Sequence, residues 1–435
     1  MTDATLFAVP RSAPGRVDLD RWPDLAAVPG TLRTSVSAEV AGRLFRRMVR
    51  RLPVRVQLPD GTIVAGPATA PDAPMLCVRR PRSFMSRVGR HGLIGFGEAY
   101  MAGDWDAEDL AGVLTPFAAH VDRLVPVWLQ RLRGLYDARH PATDSNAIGN
   151  SRSNISRHYD LSNALFASFL DETLTYSAAL FPDLDRGHHP TWTDLADAQR
   201  HKIDRLLDAA GVGPGSRVLD IGTGWGELAI RAAGRGARVR SLTLSSEQQA
   251  LARERIDAAG HADRVDVDLL DYRAADGTYD AIVSVEMIEA VGHDYWRTYF
   301  EKLDALLAPG GKVAIQAITM PHHRMLATRH SYTWVHKYIF PGGALPSTEA
   351  IDRITARYTR LRVTEQLAFG PHYAETLRLW DERFRGAADE VTGLGFDDVF
   401  RRMWHFYLEY SRAGFAAGYL DVHQILLDRP EEQSR

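Results

Sequence analysis

From residue 196 onward the chain alternates between two hydrophobic periods. ADAQRHKIDRLLDAAG (196–211) repeats apolar residues at helical spacing. Five short runs of strand character follow: RVLDIG (217–222), ARVRSLTL (237–244), RVDVDLLD (264–271), YDAIVSVE (279–286) and GKVAIQAI (311–318). The helix-like segments GELAIRAAG, SSEQQALARERIDAAG and WRTYFEKLDALLAPG fill the gaps. Strands separated by helices predict a doubly wound, largely parallel α/β sheet. Ligands of such sheets lie beyond the carboxyl ends of the strands. The stretch 320–370 breaks the alternation and reads as an inserted helical cap. From 374 to 429 the pattern reads as helices rich in aromatic residues.

The N-terminal part follows another pattern. Residues 1–33, rich in proline and turn formers, read as a loosely packed arm. SAEVAGRLFRRMVRRL (37–52) has apolar positions at helical spacing, and VRVQLPDGTIVAG (54–66) is two alternating strands around Asp60-Gly61, a strong hairpin signal. A helix is expected from about 110 to 135, then a polar, turn-rich linker ending near 155. The expected division is an N-terminal α+β domain with linker over 1–150 and a catalytic domain over 151–435.

Composition adds exclusions. With 45% hydrophobic and 25% charged residues, the 435-residue chain has the balance of an ordinary globular protein. A single cysteine, Cys77, excludes an intrachain disulfide and a cysteine-cluster metal site, and suits a reducing cytoplasm. No metal site is expected. There is no apolar run of about 18 residues, and the start lacks the basic-then-apolar order of a signal peptide. Any membrane contact is therefore expected to be peripheral. The stretches 43–52 and 79–92 are basic with interleaved apolar residues, which suits either an anionic lipid surface or plain solvation. Nucleic acid is not expected, since the net charge is −3 and no reader motif is present.

The most informative motif is VLDIGTGWGELA (218–229), with Gly222, Gly224 and Gly226 at alternate positions and Asp220 two residues before the first. A dinucleotide fingerprint would read G-x-G-x-x-G and present a helix N-terminus to a pyrophosphate. An acid at the strand end disfavours a pyrophosphate and favours a cation. Within a strand–helix series the turn reads as an S-adenosylmethionine site, with Asp220 toward the positively charged methionine end and Trp225 in the turn. The second strand ends at Thr243-Leu244 with no acid for the ribose. There Ser245 and Gln248 fit a ribose contact and a helix-capping box equally well. After the third strand, Asp271, Tyr272 and Arg273 are placed to bond the adenine amine and cover its ring, a solvated loop being the alternative.

RHYDLSNALF, TLTYSAALF, VLDIGTGWGELA, LTLSSEQ, SVEMIEAVG, HKYIFPGGALPS and HYAETLRLW occur in order within a stretch from about 155 to 415. In this they resemble the cyclopropane-fatty-acid synthases and related mycolic-acid methyltransferases. GFGEAYMAGDWDAEDL (95–110) resembles the N-terminal domain of the phospholipid-acting branch. The resemblance implies the class I, Rossmann-like methyltransferase fold, with Tyr176 and Ser177 joining the cofactor site. It implies transfer of a methyl group to the alkene of a phospholipid acyl chain, leaving a carbocation that positioning and a dry, aromatic pocket must manage.

In members that make cyclopropane a bound bicarbonate removes the proton. Carried over by position, its site comprises the backbone at Ala178, with Glu289, Gln316, Ile318 and Tyr373. Ala178 replaces the family's usual cysteine and Gln316 its usual histidine. Gln316 cannot titrate, so it is read either as neutral drift or as the mark of a different fate for the cation. A hydride shift before proton loss gives an exocyclic methylene, as in the actinobacterial methyltransferases of 10-methyl-branched fatty acids. A separate reductase would then complete a saturated branch. Cyclopropane formation and a silent lipid-binding subunit are the alternatives, and oligomeric state, a homodimer included, stays open.

Overall fold

The computed structural model describes residues 17–18, 20–26, 32–120, 162–329 and 331–430. Most of the expected arm, the helix beyond residue 120 and the linker lie outside the described residues. The chain forms two compact units, one of residues 1–136 and 384–417, the other of 137–383 and 418–435. The expected cut at 150 thus falls among undescribed residues. Residues 384–417, assigned from sequence to the catalytic domain, group with the N-terminal unit.

The first unit carries helices α1 (Leu32–Val49), α2 (Pro81–His91), α3 (Leu93–Met101) and α4 (Leu110–Ala119). Its strands β1 (Arg55–Gln57), β2 (Ile63–Val64), β3 (Met75–Val78) and β4 (Trp105–Ala107) form a sheet of order β2-β1-β3-β4. The predicted hairpin is present: Val56 pairs with Val64 across the antiparallel β1–β2 ladder. Gly61 takes the left-handed conformation that the turn needs, at φ 85°. Trp105 is fully buried against Phe96, with ring centroids 4.6 Å apart, and its indole N–H donates to the Phe96 carbonyl at 3.0 Å. The long helix Asp398–Ala416 joins this core, since Phe406 packs on Tyr100 and the Glu409 carboxylate accepts the Ala111 N–H at 3.1 Å. Its aromatics serve this unit's packing.

The second unit contains α5 (Asn163–Phe169), α6 (Trp192–Ala209), β5 (Arg217–Ile221), α7 (Glu227–Gly234), β6 (Arg238–Thr243), α8 (Ser246–Ala258), β7 (Val265–Leu269), β8 (Tyr279–Val285), α9 (Ile288–Val291), α10 (Trp296–Leu306) and β9 (Leu307–Thr319). Then come α11 (His322–Thr328), α12 (Trp334–Tyr338), α13 (Thr348–Tyr358), β10 (Arg362–Ala368), α14 (Gly370–Gly386) and β11 (Asp421–Asp428). The sheet order is β10-β11-β9-β8-β5-β6-β7. All five predicted strands are present and mutually parallel.

Alternate side chains face opposite layers, as strand geometry requires. Val218, Val239 and Val283 pack with α6, α7 and α8, while Leu219, Ile282 and Ile315 pack with α10 and Ile351 of α13. Strand order reverses between β5 and β8, so the crevice of a doubly wound sheet opens at their carboxyl ends.

Two expectations are corrected. The stretch 320–370 does supply short helices, but it ends in strand β10. DVHQILLD, read as helix, is strand β11, inserted antiparallel between β9 and β10. Both of its faces are covered, Ile425 and Leu427 in one core layer and Leu426 in the other, so it shows a continuous apolar block, which periodicity cannot tell from a buried helix. A chain ending at Leu420 should therefore lose cooperative thermal unfolding, monitored by far-ultraviolet circular dichroism. An unchanged transition would contradict this role for β11.

Candidate active site

The glycine turn closes β5. Gly222, Gly224 and Gly226 all have left-handed φ, at 103°, 52° and 92°. A side chain at Gly222 would strike Met287, whose Cγ lies 2.6 Å from the Cβ position. At Gly224 nothing lies within 4 Å of that position, so the turn's backbone is open to a ligand. Asp220 is buried beneath the turn. Its Oδ2 accepts the Ser241 hydroxyl at 2.6 Å, and that hydroxyl lies 2.7 Å from the Thr223 hydroxyl. Burial pushes the Asp220 carboxyl up to about 6, against the pull of the Ser241 bond. Trp225 is buried and donates to Asn163 Oδ1 at 2.8 Å.

At the end of β6, Ser245 caps α8 by accepting the Gln248 N–H at 3.2 Å. The Gln248 side chain does not complete a capping box; its Oε1 accepts the Thr243 hydroxyl at 3.0 Å. Leu244 is half-buried between them. After β7 both oxygens of Asp271 are engaged by Arg273, at 2.9 Å to Nε and 2.6 Å to Nη2. The Arg273 guanidinium lies over the Tyr272 ring at 5.7 Å, and the buried Tyr272 hydroxyl has no partner among the described residues.

The chemistry concentrates where β8 ends. Glu286, not anticipated from the sequence, has φ 50°, a conformation costly for a residue with a side chain. Its Oε1 accepts the Ala178 N–H at 2.9 Å and the Gln316 amide at 2.8 Å, and its Oε2 accepts the Tyr373 hydroxyl at 2.7 Å. Three of the expected anion-site residues thus converge on one carboxylate of the chain itself. Glu289, on α9, accepts the Ile318 N–H through Oε1, and its Oε2 is buried without a partner among the described residues. Burial first, then the neighbouring Glu286 charge, pushes Glu289 up to about 8. Glu286 is also raised by burial, opposed by the Lys202 charge.

Lys202, likewise missed, is fully buried on α6 and donates to Ser177 Oγ at 2.6 Å. Burial lowers it to about 8, against the pull of Glu286 and Asp171. The sequence signal for Glu286 was an acid three residues before Glu289 at a strand end. Lys202 carried none, since a lysine on an amphipathic helix normally faces water.

Tyr176 belongs to an aromatic wall, with ring centroids 5.1 Å from Phe166 and 5.3 Å from Trp380, and Trp380 in turn lies 6.2 Å from Tyr373. The carboxylates and the aromatics therefore share Tyr373. A nucleoside-sized ligand on the glycine turn would lie at the mouth of this crevice.

A family model described as mycolic acid cyclopropane synthetase matches residues 147–425. The chain belongs to this family. It is 58% identical over 413 residues to "Tuberculostearic acid methyltransferase UfaA1" of Mycobacterium tuberculosis, covering 95% of this chain and 96% of the relative. Identity is 32% over 365 residues to the cyclopropane-fatty-acyl-phospholipid synthase of Escherichia coli, covering 82% and 88%. Among solved structures, mycolic acid cyclopropane synthase CmaA1 complexed with SAH and CTAB matches with a TM-score of 0.57 and 31% identity, over 63% of this chain and 97% of that one. The class I methyltransferase fold is thereby established for the synthetase family's part of the chain.

Near pH 7 Glu289, pushed up to about 8, holds its proton, while burial raises Glu286 and the Lys202 charge and its three donors oppose that rise. The unfolded chain's glutamate titrates near 4.5, so the stability that neutral Glu289 confers is full below that pH and is lost as pH rises through about 8. Glu289→Gln keeps the acceptor for Ile318 and removes the titration. Its unfolding midpoint should gain a few degrees on wild type between pH 5 and pH 8.5, read by differential scanning calorimetry. A constant difference would contradict a neutral Glu289.

Proposed function

We propose that this chain is an S-adenosylmethionine-dependent methyltransferase acting on the double bond of an oleoyl-type phospholipid acyl chain, forming a methylene-branched fatty acid. The observation that carries this reading is the 58% identity, across nearly the whole of both chains, to a tuberculostearic acid methyltransferase. The open glycine turn and the buried acid beneath it fit the cofactor. When bound, S-adenosylmethionine supplies an electrophilic methyl group. Gly222–Gly226 hold its backbone-facing side, Asp220 favours its positive charge through the turn, and Thr243, Leu244, Gln248, Asp271, Tyr272 and Arg273 surround the nucleoside.

An alkene is a weak nucleophile, so alignment in a dry crevice supplies much of the rate. Tyr176, Tyr373 and Trp380 present aromatic faces to the positive charge that develops. The donors that would hold a bicarbonate face the Glu286 carboxylate. No described helix is long and apolar enough to cross a membrane. The exposed Arg43, Arg46, Arg47, Arg50 and Arg51 around α1 line a concavity of about 510 Å³ and suit anionic headgroups. On 79–92 the basic face is smaller, because Arg87 is buried in an ion pair with Asp104 at 3.0 Å. A saturated branch requires a separate reductase acting on the released product.

Expression in a host rich in oleoyl phospholipid, followed by proton NMR of the extracted fatty acids, should reveal vinylidene signals at one added CH₂. High-field ring signals would assign cyclopropane formation instead. Asp220→Asn keeps an acceptor for Ser241 and removes the charge, so calorimetric affinity for S-adenosylmethionine should fall about tenfold or more. Unchanged affinity would remove Asp220 from the binding account.

A further inference from the structure

We infer that the Glu286 carboxylate is itself the base of the reaction, built into the place where relatives of this fold recruit a bicarbonate. The inference rests on the acyl-methyltransferase reading and adds to it the residue that receives the proton.

A carboxylate and a bicarbonate are both planar anions that present two oxygens to donors. Here the donors come from three separate segments: the Ala178 N–H from the loop before α6, the Gln316 amide from β9, and the Tyr373 hydroxyl from α14. All three are already spent on Glu286. The Gln316 position is fixed in turn, because its Oε1 accepts the Gln424 amide of β11 at 3.2 Å. Gln316 therefore donates toward Glu286 and cannot compete as a base. A histidine would have brought a titratable ring to the same spot, so the glutamine and the glutamate are consistent with each other. The backbone at Glu286 is held left-handed, and that strain persists only where surrounding bonds over-determine it. An additional free anion would stand beside the Glu286 carboxylate in a buried crevice, a repulsive arrangement that costs heavily without a further cation. The site as built does not fit bicarbonate.

The chemistry balances without it. The alkene π pair forms the new C–C bond to the methyl carbon, and the C–S pair stays on sulfur. Positive charge appears on the adjacent alkene carbon. A hydride moves to it, with its electron pair, from the carbon bearing the new methyl. Glu286 then takes a proton from that methyl, whose C–H pair becomes the double bond of the branching methylene. No oxidant or reductant is consumed, and the net proton leaves Glu286 for solvent between turnovers. Lys202 and Glu289 tune the base without touching the substrate: the ammonium favours the carboxylate form, and the neutral acid adds no repulsion.

The test compares wild type, Glu286→Gly and Glu286→Gln in CO₂-free buffer with and without added bicarbonate. Glycine tolerates the left-handed backbone and frees the three donors, whereas glutamine keeps the shape and removes the base. Wild-type turnover should be unaffected by bicarbonate. Both variants should slow by about a hundredfold or more, and bicarbonate or formate should restore at least about tenfold only in Glu286→Gly. A wild-type enzyme that stalls without bicarbonate, a Glu286→Gln variant near the wild-type rate, or a Glu286→Gly variant that bicarbonate does not rescue overturns the inference.

Titration with [¹³C]bicarbonate, read by NMR line broadening, gives a measure independent of turnover. Saturable binding to Glu286→Gly but not to wild type supports the inference, and saturable binding to wild type overturns it. If wild type forms no branched product at all, the acyl-methyltransferase reading falls while this titration still decides whether Glu286 fills the anion site. If Glu286→Gly does not fold, the wild-type and Glu286→Gln arms decide alone.

Discussion

A carboxylate buried at the carboxyl end of β8 must find donors, and the architecture around the crevice is organised to provide them. The Glu286 side chain ties a loop, a central strand and a helix together through three hydrogen bonds of 2.7 to 2.9 Å. Leaving such a group unpaired would cost far more than any one bond contributes. The loop carrying Ala178 and helix α14 are thereby tied to the end of β8 by one side chain, which also adds a bond to β9 beyond their ladder. Strand β11 reinforces the arrangement, because Gln424 pairs with Gln316 in register and also donates to the Lys202 carbonyl at 3.0 Å.

The same burial sets the electrostatics. In a crevice sheltered from water, neighbouring acids cannot both carry charge cheaply. The structure separates them: Glu286 receives three donors and faces Lys202, while Glu289 receives one and leaves an oxygen unpartnered among the described residues. Environment alone thus distinguishes a carboxyl group with three donors and a facing ammonium from one with a single donor, pushed up to about 8, three residues away. This division of roles between two carboxyl groups is how one crevice can hold a base without filling with repulsion. The glycine turn lies at the end of the neighbouring strand β5, at the same mouth of the sheet, where the proposed function seats the cationic cofactor. Strand order, through the reversal between β5 and β8, is what makes the two meet.

Much of this was legible in the sequence where local pattern and tertiary environment agree. The five parallel strands announced themselves because each is a short apolar run bounded by turn residues and separated by amphipathic helices. The glycine turn was legible because left-handed backbone at Gly222, Gly224 and Gly226 requires that residue. The anion-site residues were placed through family resemblance, and Ala178, Gln316 and Tyr373 do come together. Strand β11 was not legible, since a strand buried on both faces loses its alternation: Ile425 and Leu427 enter one core layer and Leu426 the other. Nor was Glu286, because an acid at a strand end carries no local mark of burial. Lys202 was hidden by the opposite habit: helical lysines face water, and this one does so nowhere.

The account turns on Glu286 holding the donors that an external anion would otherwise use. A crystal structure of the protein with S-adenosylhomocysteine, grown from bicarbonate-containing solution, tests this most directly. The account predicts the nucleoside across Gly222–Gly226, with the Glu286 carboxylate still bonded to Ala178, Gln316 and Tyr373. A separate planar anion between those three groups, with the Glu286 side chain turned away, would contradict it.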